Sequence, residues 1–302
     1  MKVVGFTIVR NAIKFDYPIL ESLASLLPMC DEVIVSVGKS EDETLNLIKS
    51  ISSPKLKIIE STWDDSLRKG GVLLAIETNK ALDAVPRDAD WLFYLQADEL
   101  LHEKDADAIR SSMLKWKDDK NVDGLLFNYN HFYGSYDYLG DSHKWYRKEI
   151  RIIRNDKHIR SYKDAQGFRK FSLLPVSNDD LLNGGEKLRV KQSGGTIYHY
   201  GWVKHPEFQQ NKQKSFNKMW HGDEWMEKKV GHASEFDYNS IDSLAAFTGE
   251  HPAPMQIRVS TQNWKYVYDG SKKKFSFKER LLRFTQKTFG WRPGEYKNYK
   301  LV

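Results

Sequence analysis

Alternating apolar and amphipathic segments make up the first hundred residues. Three apolar runs, "KVVGFTIV", "DEVIVSV" and "LKIIES", predict buried strands, and "DWLFYLQ" predicts a fourth. The segments between them, "DYPILESLASLL", "SEDETLNLIKSI" and "GVLLAIETNKALDAV", have helical periodicity, and Ser40 and Glu43 have the spacing of a capping box. Strands that alternate with helices predict a parallel sheet covered by helices on both faces.

The pattern changes beyond Asp119. The segments "GLLFNYNHFYGSYDYLG", "KEIRIIRN" and "GGTIYHYGWV" are strand-like and are separated by turn residues and charges. From about Pro206 the helical signals are weaker, and the chain ends in a basic amphipathic segment. We therefore expect a main domain over residues 1–205 and a helical, acceptor-binding or membrane-surface extension over residues 206–302.

Polar residues follow the predicted parallel strands. Ligands bind beyond the carboxyl ends of such strands, where Arg10 and Asn11 follow the first strand and Asp98 and Glu99 follow the fourth. Two adjacent carboxylates repel each other unless a cation lies nearby, and Mg²⁺ commonly binds one or two carboxylates together with substrate phosphates. A second interpretation remains open, in which Asp98 caps a helix that begins at Glu99.

Composition narrows the class of protein. The chain has 302 residues, a net charge of +6 and one cysteine, so no intrachain disulfide can form. The mild positive charge suits an anionic partner such as a nucleotide, and we find no nucleic-acid-binding module. The amino-terminal "MKVVGFTIVRN" is typical of a strand rather than a signal peptide, and no apolar window has the length of a membrane span. We expect a cytoplasmic protein.

Four segments of the first 130 or so residues resemble, in order and spacing, the glycosyltransferase family 2-like enzymes. "VRNAIKF" resembles the end of their first strand, "SVGKSEDET" their "DDGSTDGT"-like loop, "KGGVLLAIETNKAL" a "G…RN.G" segment, and "QADE" their aspartate-x-aspartate signature. The resemblance implies a GT-A-like three-layer α/β sandwich with a mostly parallel central sheet. It also implies transfer of a sugar from a nucleotide-diphosphate sugar to a hydroxyl acceptor, with inversion and with Mn²⁺ or Mg²⁺, in glycan or polysaccharide assembly.

The resemblance also implies site residues. The nucleotide-sugar-binding positions would be Thr7, Arg10, Asn11, Gly38, Asp42, Lys69, Gly71 and Gln96. Asp98 would hold the metal. Gln96 replaces the first acid of the signature and cannot neutralise a cation, so Glu99 would compensate as a second ligand.

Two further residues are candidates in the later half. His199, in "IYHYGW", is either a third metal ligand or a packed aromatic-strand residue. A base must take the proton of the acceptor hydroxyl, and our candidate is Asp164 in "SYKDAQGF"; Asp137 and Asp141 are rivals, and a turn-forming role also fits Asp164.

The carboxy-terminal segment bears on the acceptor, which we expect to be a glycan or a lipid-linked molecule. Apolar and basic residues alternate there at helical spacing: Phe277, Leu281, Leu282 and Phe284 among Lys278, Arg280, Arg283 and Lys287. This pattern suits peripheral contact with the anionic inner face of a membrane, and it also suits a surface helix that packs on the domain. The alternative to an enzyme is a non-catalytic protein that binds nucleotide sugars or glycans on the same fold.

Overall fold

The computed structural model describes residues 1–67, 69–220, 224, 225, 228, 233–272, 275 and 277–302. The strands are β1 Val3–Val9, β2 Glu32–Gly38, β3 Leu56–Ser61, β4 Trp91–Tyr94, β5 Glu99–Leu101, β6 Gly124–Tyr133, β7 Ser135–Gly140, β8 Lys148–Arg154, β9 Ile159–Tyr162, β10 Gly167–Lys170, β11 Glu186–Trp202, β12 Leu244–Ala246 and β13 Tyr299–Leu301. The α-helices are α1 Ile19–Leu26, α2 Thr44–Lys49, α3 Val72–Asp83, α4 Ala106–Trp116, α5 Asn178–Asn183, α6 Pro206–Lys218, α7 Gln256–Ser260 and α8 Phe277–Phe289.

One sheet runs through the fold in the order β3-β2-β1-β4-β8-β6-β11-β10-β9. Its first four strands are parallel, as the alternation of strands and helices predicts. Beyond β4 the pairing is mixed: β8 is antiparallel to β4 and β6, whereas β6 and β11 are parallel. Strand direction therefore changes between β4 and β8, and the carboxyl end of β4 lies beside the amino-terminal part of β8.

Helices cover both faces of this sheet. Apolar residues of α1, α2 and α4 pack on one face with side chains such as Val33 and Phe93, and α3 packs on the other face with Phe6 and Tyr94. The central strands are buried on both sides, which is why β1 is a continuous apolar run. The predicted GT-A-like three-layer α/β fold is confirmed.

One local expectation was wrong, and one of the open interpretations is excluded. The capping box at Ser40 and Glu43 does not form, because the helix begins at Thr44 and Asp42 accepts the Thr44 N–H instead. No helix begins at Glu99, so Asp98 is not a helix cap; residues Glu99–Leu101 form β5, antiparallel to β11. Pairing with β11 gives hydrogen-bond partners to backbone groups of β5, whereas the first N–H groups of a helix would have no partner within the helix.

The segment after residue 205 returns to the sheet. The predicted boundary falls between β11 and α6, yet β12 pairs with β7 and β13 pairs with β11. The division into two domains therefore stays a prediction. No described helix combines the length and the apolar character that crossing a bilayer requires.

Candidate functional site

A cavity of about 810 Å³ lies at the carboxyl ends of β1 and β4. We call it the strand-end cavity. Its walls come from the residues after these two strands, from the loop 163–166 between β9 and β10, from the end of β11 and from α6. Ligands of open α/β sheets bind at this position, so the topology alone makes the cavity the candidate site.

Six of the residues singled out in the sequence line the strand-end cavity: Arg10, Asn11, Gln96, Asp98, Asp164 and His199. Gly38 and Asp42 instead border a separate cavity of about 510 Å³ beside α2. Thr7 is buried within β1, and the exposed Lys69 ammonium lies 3.3 Å from Asp179 Oδ1. Gly71 adopts a φ of +71°, and a Cβ there would lie 2.9 Å from the Asp164 Cβ, so it adjoins the Asp164 loop.

The buried Asp98 carboxylate forms an ion pair with Lys212 of α6. The Lys212 ammonium donates hydrogen bonds to Asp98 Oδ2 at 2.9 Å and to the Gly201 carbonyl at 2.9 Å. Burial by itself would raise the pKa of Asp98, but Lys212, the strongest opposing influence, helps to bring this pKa well below its usual range. Asp98 is thus an anion with a permanent neighbouring positive charge.

His199 faces Asp98 from β11. Its Nε2 atom lies 3.7 Å from Asp98 Oδ1, and its Nδ1 atom lies 3.1 Å from Nδ1 of His131 on β6. Burial lowers the pKa of His199 more than the Asp98 carboxylate raises it. The imidazole nitrogen and the carboxylate oxygen face each other across a gap too wide for a hydrogen bond.

Glu99 lies behind this wall rather than in it. The Arg151 guanidinium donates to both of its carboxylate oxygens, at 2.6 Å and 2.5 Å, and both side chains are fully buried. The Tyr129 hydroxyl also donates to Glu99. Both Glu99 oxygens are hydrogen-bonded inside the protein, and Glu99 is not among the described residues that line the strand-end cavity, so this carboxylate is not placed to bind a cation there.

Asp164 sits on a constrained loop. Its neighbours Lys163 and Ala165 both have left-handed backbone conformations, with φ values of +52° and +59°. Gln96 Nε2 donates to the Ala165 carbonyl at 3.2 Å, which ties the loop to the end of β4. Burial raises the pKa of the Asp164 carboxyl. Strained backbone that carries a half-buried acid beside a cavity is typical of functional sites.

The rival acids lie elsewhere. Asp137 accepts a hydrogen bond from the Ser135 hydroxyl within β7, and Asp141 bonds Ser243 and pairs with Arg283. Neither is among the described residues that line the strand-end cavity. Their position therefore favours Asp164 over both.

The chain is similar to parts of several solved structures. One is S. aureus TarS 1-349, with 16% identity over 72% of this chain and 64% of that chain and a TM-score of 0.37. Another is the same TarS fragment in complex with UDP, with 18% identity over 51% and 47% and a TM-score of 0.34. A third is the galactosyltransferase LgtC with donor and acceptor sugar analogs, with 12% identity over 43% and 46% and a TM-score of 0.27.

The match spans less than two thirds of the length of each of these three structures. No family model matches the sequence, and no curated protein matches it.

Two residues of the site were missed in the sequence. Lys212 lies in "FQQNKQKSF", where its neighbours Lys214 and Lys218 look the same, and its partner Asp98 is 114 positions away. His131 lies in the aromatic strand β6, and only the register that pairs it with His199 gives it a role. Two histidines in neighbouring aromatic strands were the one available signal.

Proposed function

We propose that the protein transfers a sugar from a nucleotide-diphosphate sugar to a hydroxyl acceptor, as a family 2-like glycosyltransferase in glycan assembly. The observation that supports this most is the strand-end cavity itself, where Asp98, Lys212 and His199 lie beside the strained loop of Asp164. Cationic and cation-binding groups suit a diphosphate leaving group. The half-buried acid Asp164 in the wall of the same cavity suits the proton of an acceptor hydroxyl.

A divalent cation fits the Asp98 and His199 pair. The carboxylate Oδ1 and the imidazole Nε2 lie 3.7 Å apart, and a neutral imidazole nitrogen without a hydrogen is a metal ligand, as a carboxylate oxygen is. Mg²⁺ and related cations take their remaining ligands from water and substrate phosphates, so two protein donors suffice. Among the described residues, no group of three or more His, Cys, Asp or Glu side chains could hold a metal. When bound, Mn²⁺ or Mg²⁺ would neutralise the diphosphate. Glu99, predicted as a further ligand, is left out of the proposal.

Lys212 supplies charge to the same end of the cavity. Its ammonium makes two of its three possible hydrogen bonds, to Asp98 and Gly201, and we propose that the third N–H donates to an anionic ligand. Arg10, at the end of β1, pairs with Asp65 at 2.6 Å and lies over the Trp63 ring. Lys212 and Arg10 therefore bring two basic groups to the cavity wall, each paired with a carboxylate, and Trp63 adds an aromatic surface.

The proposed reaction is a single displacement with inversion. The acceptor oxygen forms a bond to the anomeric carbon while the bond from that carbon to the diphosphate oxygen breaks, and the diphosphate leaves with the bonding electrons. The carboxylate of Asp164 takes the proton of the acceptor hydroxyl. Lys212 holds a positive charge in the same cavity, where it would stabilise the negative charge that the leaving group gains.

The α8 helix bears on the acceptor. Phe277, Leu281 and Phe284 are 83%, 53% and 58% exposed, and Lys278 and Arg280 are exposed beside them. The side chain of Lys287, the fourth basic residue named above, lies outside the described part. The exposed face supports a lipid-linked acceptor reached at an anionic membrane surface.

We expect the protein to co-sediment with phosphatidylserine-containing vesicles. The triple variant Phe277→Ser/Leu281→Ser/Phe284→Ser, which removes the exposed apolar side chains, should lose this binding. Equal binding of this variant would contradict the membrane contact.

Nucleotide binding tests the function directly. Unfolding is followed with UDP-, GDP-, CMP- and dTDP-sugars, with and without Mn²⁺ or Mg²⁺, for the wild type, Asp98→Asn and the surface control Asp88→Asn, whose carboxylate is exposed and pairs with Lys2. We expect one nucleotide class with metal to stabilise the wild type and Asp88→Asn by about 2.7 kcal/mol at 100 times its dissociation constant. In Asp98→Asn we expect most of this stabilisation to be lost, because the variant removes the anion that binds the cation.

A transfer assay separates the enzyme from its alternative. Binding of the nucleotide sugar without transfer or hydrolysis would favour the non-catalytic binding protein. If no nucleotide stabilises the wild type in any condition, the proposed function is wrong.

A further inference from the structure

His131 is not among the described residues that line the strand-end cavity, but its ring contacts His199, which lines it. It lies on β6 directly opposite His199 on β11, since the parallel register pairs the two residues. His131 is 3% exposed and is packed against Tyr129 and Tyr146, at ring-centroid distances of 4.5 Å and 4.4 Å. When both ring nitrogens of a neutral imidazole have hydrogen-bond partners, the donor or acceptor role of those partners determines which nitrogen carries the hydrogen.

The hydrogen bonds determine that arrangement. His131 Nε2 lies 2.9 Å from the Tyr146 carbonyl, and a carbonyl oxygen can only accept, so His131 Nε2 carries the hydrogen. In a neutral ring, His131 Nδ1 is then an acceptor. His199 Nδ1 lies 3.1 Å from it and must be the donor. A His199 ring that is neutral, as a metal ligand must be, then has no hydrogen on Nε2.

We infer that His131 is a positioning residue that holds His199 in the tautomer whose Nε2 lone pair faces Asp98 Oδ1, and so makes this pair a binding site for a divalent cation. The opposite tautomer would place a hydrogen on Nε2, which would point at Asp98 Oδ1, 3.7 Å away. That hydrogen would block the cation. The inference rests on the proposed function for the cation, and it adds the residue that prepares the site.

Gly201 explains why the two proposed ligands, Asp98 and His199, can lie close together. Gly201 follows His199 by two positions on β11, and a Cβ there would lie 2.9 Å from Asp98 Oδ2. Only glycine therefore leaves room for the Asp98 carboxylate and the His199 ring at this point. Residues behind a metal ligand commonly contribute a factor of roughly 10–100 to metal affinity.

The tautomers can be measured without any ligand. In the ¹⁵N-histidine-labelled wild type, two-bond ¹H–¹⁵N correlation spectra should show the hydrogen of His131 on Nε2 and that of His199 on Nδ1. His131→Phe keeps a planar ring but removes the acceptor, so the hydrogen of His199 should move to Nε2. His131→Asn, whose amide oxygen can stand in for Nδ1, should keep it on Nδ1. His158→Asn is the control, because His158 also bonds a backbone carbonyl, that of Phe171, away from the cavity.

Mn²⁺ binding completes the test. Electron paramagnetic resonance of free Mn²⁺, with and without UDP, should give an affinity roughly 10–100-fold lower for His131→Phe than for the wild type. His131→Asn and His158→Asn should stay near the wild-type affinity. Circular dichroism establishes that each variant is folded, and the wild-type spectra test the tautomer even if His131→Phe does not fold.

Two outcomes would overturn the inference alone: a wild-type His199 with its hydrogen on Nε2, or unchanged Mn²⁺ affinity in a folded His131→Phe. A wild type that binds UDP but no Mn²⁺ would overturn the cation site and the role of His131, while leaving nucleotide binding intact. A wild type that binds neither would overturn the proposed function as well.

Discussion

Replacing Asp164 with Asn should lower the rate of sugar transfer by roughly 10²–10⁴-fold while leaving nucleotide affinity nearly unchanged. Asn has the shape of Asp and tolerates the turn in which it stands, but its amide cannot accept a proton from the acceptor hydroxyl. In the proposed function the donor nucleotide binds at Asp98 and Lys212, so its affinity should not depend on the base. The measurement is initial transfer rate together with UDP affinity by calorimetry.

The pH profile gives a second readout of the same residue. The base must be ionised, and burial raises the pKa of Asp164, so the transfer rate should fall at a higher pH than an ordinary aspartate would cause as the solution is acidified. Asp137→Asn is the matched control, because Asp137 was a rival candidate that lies on β7 outside the cavity. A wild-type rate in Asp164→Asn, or an equal loss in Asp137→Asn, would remove Asp164 from the role of base.

Replacing Arg151 with Met should destabilise the protein by about 3–5 kcal/mol. Arg151 and Glu99 are both fully buried, and the guanidinium also donates to the carbonyls of Ile150 and Gln166 at 2.9 Å and 2.8 Å. Removal of the arginine leaves the Glu99 carboxylate in an apolar interior with the Tyr129 hydroxyl as a remaining donor. The unpaired charge, rather than the lost attraction, is the source of the cost.

The chain offers a matched control on its surface. Arg160 pairs with both oxygens of Asp83 at 2.5 Å and 2.7 Å, but the Asp83 side chain is 61% exposed. Arg160→Met should therefore cost about 0–1 kcal/mol in urea unfolding. The double variant Glu99→Gln/Arg151→Met should recover much of the stability, because no buried charge remains. If Arg151→Met costs no more than Arg160→Met, the buried pair does not have the role assigned to it.

The Glu99 pair also shows why two adjacent acids in one sequence have different roles. Strand β4 ends at Tyr94 and β5 begins at Glu99, so the short turn between them presents Asp98 to the cavity and turns Glu99 into the interior. The adjacent carboxylates indicated a cation, and each has one nearby. The cations are Lys212 for Asp98 and Arg151 for Glu99, from α6 and β8.

The sequence by itself determined the layered α/β architecture and the edge at which the site lies. Apolar runs long enough for a strand, alternating with helical periodicity, allow only a parallel sheet covered on both faces, and that order places Arg10, Gln96 and Asp98 at one edge. These are local patterns, and local backbone preference and burial are sufficient to produce them.

Only the tertiary structure decided which groups meet at that edge. Lys212 reaches Asp98 across 114 residues, Arg151 reaches Glu99 across 52, and His131 meets His199 through the register of β6 and β11. Such pairs depend on strand order and register, which are determined by packing of the whole core rather than by any short segment. The position of the site is therefore a property of local pattern, and its charge and tautomers are properties of long-range contacts.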